Sequence, residues 1–385
     1  HPARIMEHFV NAPLVARVYA KGNTKSMVRL KSGIDADLRV VPRESYGAAL
    51  NYFTGSKDHN IALRKLAIQK GWKLNEYGLY GQPGKSDPPR RRRRVEVGKR
   101  NGERMIAGAT EEEIYKKLGL EYIPPELREA SGETGAALRQ AQGKLPGLPK
   151  LIAYDDLRGD LQTQTNWTDG NASIEEMAHE AMKRGLEYIA ITDHTKRLAM
   201  THGLDEKRLR AQMKEIDRLN AISDLPTGQA GKRHGKGKFR ILKGTECDIL
   251  RDGTLDLPDG VLKDLDVVGV SVHSLFNLSR EEQTKRIVRA MKNPHADILF
   301  HPTGRLIHKR EAYAVDMDEV IRAAKETGTI LEVDAFPDRL DLRDEHIREA
   351  VKHGVKLSID SDAHAPGHFS VLEFGIAQAR RGWAE

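Results

Sequence analysis

A chain of 385 residues has room for two or three domains, each with its own core. With 39% hydrophobic and 31% charged residues it has the makeup of a globular protein, and no apolar run approaches the roughly twenty residues of a bilayer-spanning helix. The single cysteine, Cys247, excludes an internal disulfide and fits a reducing cytoplasm, while the net charge of +7 is split between a basic N-terminal part and a mildly acidic remainder.

Residues 1–150 hold 28 Lys and Arg against 16 Asp and Glu, and the rest hold 35 against 40. That division suggests a polyanion-binding module joined to a cation-binding one. The chain starts at His1, without Met, inside a helical pattern, which reads as a fragment. After this opening, Ser26-Met-Val-Arg-Leu and Ile34-Asp35-Ala-Asp37-Leu-Arg39-Val-Val look like strands, the second with Asp35, Asp37 and Arg39 on one face. Carboxylates so placed can hold Mg²⁺, and a solvated edge strand has the same appearance.

Tyr46-Gly-Ala-Ala-Leu-Asn-Tyr52-Phe53-Thr54-Gly55-Ser56 runs into a helix through Ile61, Arg64, Leu66 and Ile68. An aromatic pair before Thr-Gly-Ser can set rings and backbone groups against a nucleotide; a helix ending in a glycine turn accounts for the same residues. Residues 82–100, with Arg90–Arg94, form a Pro- and Gly-containing loop whose arginines suit phosphate contact without base readout, and equally a solvated insertion. Residues 131–155, rich in Gly, Ala and Gln, read as an inter-domain linker.

From Asp156 the pattern changes. Tyr188-Ile-Ala-Ile-Thr-Asp193-His194 is an apolar run ending on a carboxylate and an imidazole. Ile241 to Glu246 ends likewise on a carboxylate, Val267 to His273 and Ile298 to His301 on imidazoles, and Lys356 to Asp362 and His364 on both. Such runs read as strands buried on both faces. Between them Ser173-x-x-Glu176 and Ser279-x-x-Glu282 are capping boxes, and Gly185, Gly328 and Gly354 sit at helix C-terminal positions. Alternating strands and helices predict a parallel α/β sheet or barrel, with polar strand ends converging on one rim. One such histidine is most simply a satisfied rim or core residue. Five coincidences of the kind point to a metal site with ligands suited to Zn, Mn or Fe. The insert 224–238 reads as a surface loop, and its His234 is not expected to be a ligand.

In the N-terminal part, Asp37-Leu-Arg, Tyr52-Phe-Thr-Gly-Ser and Lys73-Leu-Asn-Glu-Tyr-Gly-Leu closely resemble the palm and thumb of the family X DNA polymerases, here of bacterial or archaeal type. Gly22-Asn-Thr-Lys-Ser, Thr110-Glu-Glu-Glu-Ile-Tyr and Tyr122-Ile-Pro-Pro-Glu-Leu-Arg-Glu extend the resemblance over most of residues 1–130. It implies a partial α+β palm (1–45) and a thumb (46–130) with a basic insertion (82–100). Asp37 would be one of three metal-binding palm carboxylates, serving catalysis with Mg²⁺. Tyr52, Phe53 and Gly55 would contact the incoming dNTP, with Asn60 and Arg64 near the nascent base pair. No Asp-x-Asp strand precedes Asp37, so the chain by itself is not expected to polymerise, whereas an intact parent would.

The region 156–385 resembles a PHP (polymerase and histidinol phosphatase) domain through Gly159-Asp-Leu, Trp167-Thr-Asp-Gly, Ile191-Thr-Asp-His, Gly244-Thr-Glu, Val272-His-Ser, His301-Pro-Thr-Gly-Arg and Asp360-Ser-Asp-Ala-His. The implied fold is a distorted (β/α)7 barrel. Its implied metal ligands are Asp169, His194, Glu246, His273, His301, Asp362 and His364, holding Zn²⁺ or Mn²⁺. The implied chemistry is phosphoester hydrolysis, as a 3′–5′ exonuclease on DNA, with His194 in catalysis and Arg305 clamping a phosphate. Where the family shows His-x-His this chain has Gln162 and Gln164, so one or two ions are expected and hydrolysis is expected to be impaired. The resulting expectation is a base-excision gap-filling polymerase fragment with gapped or 3′-recessed DNA as partner. A free-standing phosphatase of small esters and a catalytically impaired DNA-binding scaffold are the alternatives.

Overall fold

The computed structural model describes residues 1–81, 103–144, 146–222 and 239–385. The stretches 82–100 and 224–238, with His234, lie outside the described residues. The chain divides into two compact units, His1–Leu148 and Pro149–Glu385.

In the first unit, helix α1 (Pro2–Val10) sits with an antiparallel sheet of order β1 (Val15–Lys21), β2 (Lys25–Leu30), β3 (Asp35–Arg39). Strand β1 carries no signature in the sequence because nearly all its side chains are exposed, so no apolar period marks it. Two helices follow, α2 (Tyr46–Thr54) and α3 (Lys57–Gln69), the latter capped by Ser56. A second sheet joins β4 (Lys73–Asn75), β5 (Gly78–Gly81) and β6 (Arg104–Ala107), followed by α4 (Glu111–Leu118) with Thr110 as its cap. Gly47 lets α2 and α4 meet closely, since a β-carbon there would lie 2.2 Å from the Thr110 backbone.

The stretch 131–155, expected as a linker, contains helix α5 (Glu133–Ala141) with Glu133, Ala136 and Ala137 buried. Alanine is the strongest helix former and brings little bulk, so an Ala-rich segment that looks compositionally flexible docks as a helix.

The second unit is a parallel sheet built from β7 (Gly159–Thr163), β8 (Tyr188–Ile191), β9 (Arg240–Asp248), β10 (Val267–Ser271), β11 (Ile298–Leu299), β12 (Ile330–Asp334) and β13 (Leu357–Asp360). Each strand pairs with the next. The first and last strands meet through a Thr163–Ala363 bridge, with Gln164 N donating to Ala363 O at 2.8 Å, so the sheet closes into a barrel. The connections carry α6 (Ile174–Lys183), α7 (Glu206–Ala221), α8 (Asp259–Leu262), α9 (Arg280–Met291), α10 (Met317–Thr327) and α11 (Asp344–Lys352), and α12 (Leu372–Arg381) follows the last strand.

Both expected capping boxes form, on α6 and α9, and Gly328 ends α10 in the left-handed conformation. Alternation along the strands sends Val268, Val270, Leu331 and Val333 toward Ile287, Val320 and Ile347 in the main core. Ala190, Val267, Ile298 and Phe300 form a separate cluster. Gly269 makes room for Phe300, whose ring would lie 1.8 Å from a β-carbon there. Polar side chains enter the strands as well, Asp160 and Gln162 on β7 and Glu332 on β12 being fully buried.

Candidate metal centre

Every sequence-expected ligand of the barrel lies at or beyond the C-terminal end of its strand. Glu246, in the last part of β9, is the hub. Its Oε1 is 2.8 Å from His301 Nε2 and 3.0 Å from His273 Nε2. Its Oε2 accepts from Gln164 Nε2 at 2.9 Å and lies 3.2 Å from His194 Nδ1. A second grouping forms round Asp169, whose carboxylate oxygens lie 3.6 Å from His194 Nε2 and 3.6 Å from His364 Nε2. Two sets therefore have ligand atoms close enough for one ion each, His194–Glu246–His273 and Asp169–His194–His364, with His194 common to both.

Asp362, though expected as a ligand, belongs to neither set. It lies 3.7 Å from His364 Nδ1 and 3.5 Å from Arg339 Nε. Asp37 is exposed on β3 in the other unit. Among the residues expected at the nucleotide turn, the Tyr52 and Phe53 rings meet edge-on at 5.0 Å. Arg64 stacks over Tyr52, Arg39 over Phe53, and Asn60 Nδ2 donates to Tyr52 O at 2.9 Å. Gly55 takes a positive φ of 77° between the two helices.

The electrostatics follow from burial against proximity. Burial opposes ionisation of Glu246, but His194 and His273, with hydrogen bonds from His273 and His301, overcome it and hold its carboxyl well below the usual range. Burial would depress His273, yet the Glu246 charge and a bond to Asp248 push it up to about 9. His364 is likewise raised, against burial, to about 10 by Asp169 and Asp362. His301 goes the other way, lowered by burial and then by the positive charge of Arg339.

A metal fits this set. The donors are imidazoles and carboxylates, the mixture that borderline divalent ions take. Among the described residues, the buried His301 Nδ1, Gln164 Oε1 and Asp362 Oδ1 have no hydrogen-bond partner, a costly arrangement unless a donor or a cation meets them. Gln162 and Gln164 are both fully buried, and Gln162 leaves both amide atoms unpartnered.

Arg305, expected as a phosphate clamp, is held from two of its nitrogens by the chain itself. Its guanidinium is consumed by backbone carbonyls, Arg339 O at 2.7 Å and Leu340 O, so it braces the loop after β12. The arginine at the site is Arg339, 3.2 Å from Asp334, and sequence reasoning missed it. Glu332 and Asp334 on β12 and Asp248 on β9 were also missed. Asp248 faces His273 at 3.3 Å and orients it as carboxylates orient metal-binding imidazoles. The available signal was the period-two spacing of Glu246 with Asp248 and of Glu332 with Asp334. Behind the rim, Asp193 accepts from Thr165 N and Oγ1, Thr168 Oγ1 and Gln212 Nε2, pinning the segment that leads to Asp169.

A nearly closed seven-stranded parallel barrel with imidazoles and carboxylates gathered on its C-terminal rim has the architecture of a domain that can hold metal ions. The family model described as DNA polymerase beta thumb matches residues 49–129. Over its whole length the chain is 40% identical to the DNA polymerase/3′-5′ exonuclease PolX of Bacillus subtilis (strain 168), of which it spans 61%. A probable phosphatase of Thermoanaerobacter sp. (strain X514) is 33% identical over 53% of the chain and 78% of its own length. Among solved structures, histidinol phosphate phosphatase of Lactococcus lactis, complexed with zinc, L-histidinol and phosphate, matches 59% of the chain and 94% of its own at 16% identity and a TM-score of 0.43. The whole chain thus resembles 61% of a polymerase/exonuclease, and within it residues 49–129 match the polymerase beta thumb model.

Proposed function

We propose that the chain serves a gap-filling DNA polymerase of base-excision repair, supplying a partial palm (1–45), the thumb (46–130) and a PHP domain (156–385) that trims DNA 3′ ends. The carrying observation is that one unbroken chain resembles PolX throughout while gathering two ligand sets on the barrel rim. Asp37 would belong to the Mg²⁺-binding palm, and Tyr52, Phe53, Gly55, Asn60 and Arg64 to the dNTP and nascent-pair contacts. The ringed arrangement of Tyr52 and Phe53 beneath Arg64 and Arg39 supports that assignment.

On the barrel, Glu246, His273 and His301 would hold one Zn²⁺ or Mn²⁺ ion and Asp169 and His364 a second, with His194 placed to serve either one. Such an ion, when bound, supplies Lewis acidity toward a phosphate oxygen and makes water more acidic. The chain's own residues set the rest. Asp248 holds the His273 ring, Asp193 fixes the segment leading to Asp169, and Arg339 brings positive charge to the rim beside Asp362. DNA, gapped or 3′-recessed, is the proposed partner, and the cytoplasm the proposed site of action.

A second reading has one observation in its favour. Gln164 donates an amide hydrogen to Glu246 where a ligand would leave that oxygen free, which suits a DNA-binding scaffold with weakened hydrolysis. Labelled 3′-recessed DNA and a small phosphomonoester, each incubated with the chain and Mn²⁺, separate the readings. Resection of the 3′ end is the expected result. Phosphate release from the small ester alone would instead mark a phosphatase, and DNA binding without cleavage a scaffold.

A further inference from the structure

We propose that Glu133, on helix α5, is a positioning residue for the nucleotide turn at Tyr52–Ser56, acting through His59 and Tyr115. The proposal rests on reading that turn as the dNTP contact. Four buried side chains form a continuous chain of hydrogen bonds behind it. Asn51 Nδ2 donates to the Tyr115 hydroxyl at 2.9 Å, the same hydroxyl lies 2.9 Å from His59 Nε2, and His59 Nδ1 lies 2.8 Å from Glu133 Oε1.

The inventory of donors fixes the two ends of this chain. An amide nitrogen only donates, so the Tyr115 oxygen accepts from Asn51 and shares its second hydrogen bond with His59 Nε2. On its other side, a carboxylate only accepts, so His59 Nδ1 donates to Glu133. Glu133 is the acceptor that anchors the Nδ1 side of the ring, and with it the bond on the Nε2 side. Its Oε1 also accepts from Ala130 N at 3.1 Å, tying the start of α5 to the same point.

The placement is what gives the network a function. Asn51 directly precedes Tyr52, and His59 directly precedes Asn60, so the two inward anchors flank the outward nucleotide-facing residues on both helices. His59 N also bonds Ser56 Oγ, and Ser56 N donates to Arg128 O at 2.9 Å. Freeing His59 removes the inner restraint on α3 just where α2 turns into it. Glu133 lies past the thumb match at 49–129, in the segment leading to the second unit, so the restraint comes from outside the thumb itself.

The test uses the full chain with one-nucleotide-gapped DNA, Mg²⁺ and mant-dATP, together with hydrogen exchange of the amides at 54–60. Glu133→Ala should weaken mant-dATP binding and speed exchange at the turn, each by about tenfold, since a buried donor loses its acceptor. Glu133→Gln keeps an oxygen for His59 Nδ1–H and should recover most of both. Ala137→Gly, which loosens the same helix without touching His59, should leave both near wild type. Should the alanine variant not fold, Glu133→Asp, whose carboxylate falls short of His59, takes its place in the comparison. Equal loss in the glutamine variant, or the same loss in Ala137→Gly, overturns the proposal. If the wild-type chain takes up no mant-dATP, the nucleotide reading fails. The anchoring is then decided by exchange alone, and unchanged exchange in Glu133→Ala sinks it.

Discussion

Replacing Gln164 by histidine tests what limits the barrel. Gln164 is fully buried, donates to Glu246 Oε2 at 2.9 Å, and leaves its own Oε1 without a partner. The substitution removes a hydrogen bond to a charged group, worth about 1.5–3 kcal/mol, and also an orphaned buried acceptor costing about 1–3 kcal/mol. The two nearly offset, so folding of the metal-free chain should change by no more than about 1–2 kcal/mol. Metal affinity should move much further. Groups that merely support a ligand are worth about 10–100-fold in affinity, and a new neutral imidazole donor beside Glu246 should gain at least about tenfold. Elemental analysis after dialysis and chelator competition measure the affinity, and loss of labelled 3′ nucleotides measures hydrolysis. Gains in both are expected. Unchanged metal content and unchanged resection would show that the glutamine is not the defect.

Two further outcomes follow from charge. At neutral pH the metal-free chain holds protons on His273, raised to about 9, and on His364, raised to about 10, and an entering ion must displace them. Chelator competition should show affinity rising as pH rises from 7, by about tenfold per unit for each displaced proton, until pH passes those values. Without metal the sign reverses for stability. A raised imidazole contributes fully below the unfolded value of 6.5 and is lost as pH climbs through 9 to 10, so thermal melting should fall over that range. In the thumb, Arg128 is fully buried and donates to Glu111 Oε1 at 2.6 Å, Glu111 Oε2 at 3.1 Å and Ile123 O at 2.9 Å. Arg128→Met leaves the Glu111 carboxylate buried and unpaired, and urea unfolding should show a loss of about 3–5 kcal/mol; a loss below about 1 kcal/mol would contradict the burial argument.

What the sequence disclosed depended on whether a residue's role was local. His194, Glu246, His273, His301 and His364 announced themselves because a strand end fixes where a side chain goes, and successive strands of a closed barrel share one rim. The capping boxes on α6 and α9 are local in the same sense. Glu332 and Asp334 escaped because Ile330-Leu-Glu-Val-Asp alternates as a half-solvated strand does, whereas both acids are fully buried. Arg339, in the loop after β12, is set by loop geometry that no local pattern encodes. Arg305 misled for the converse reason. It is close to His301 in sequence, but its guanidinium reaches carbonyls more than thirty residues away. In the first unit the composition of 131–155 hid α5, because the alanines that make it a good helix also make it resemble a flexible connector.

The position of the Gln164 departure matters more than its chemistry. Glu246 is the carboxylate that side chains from four other strand ends reach: His194, His273, His301 and Gln164. Three of them are imidazoles that can give their place to a cation. The fourth is an amide that donates to Oε2, and an ion seeking that oxygen must break the bond. The Asp169–His194–His364 set has no such competitor among the described contacts, yet it shares His194 with the first set. A neutral imidazole has one lone pair to give, so the two sets compete for His194, and a weakened first set leaves that ring to the second. One neutral side chain at the hub therefore sets how readily Glu246 can offer both of its oxygens to an ion.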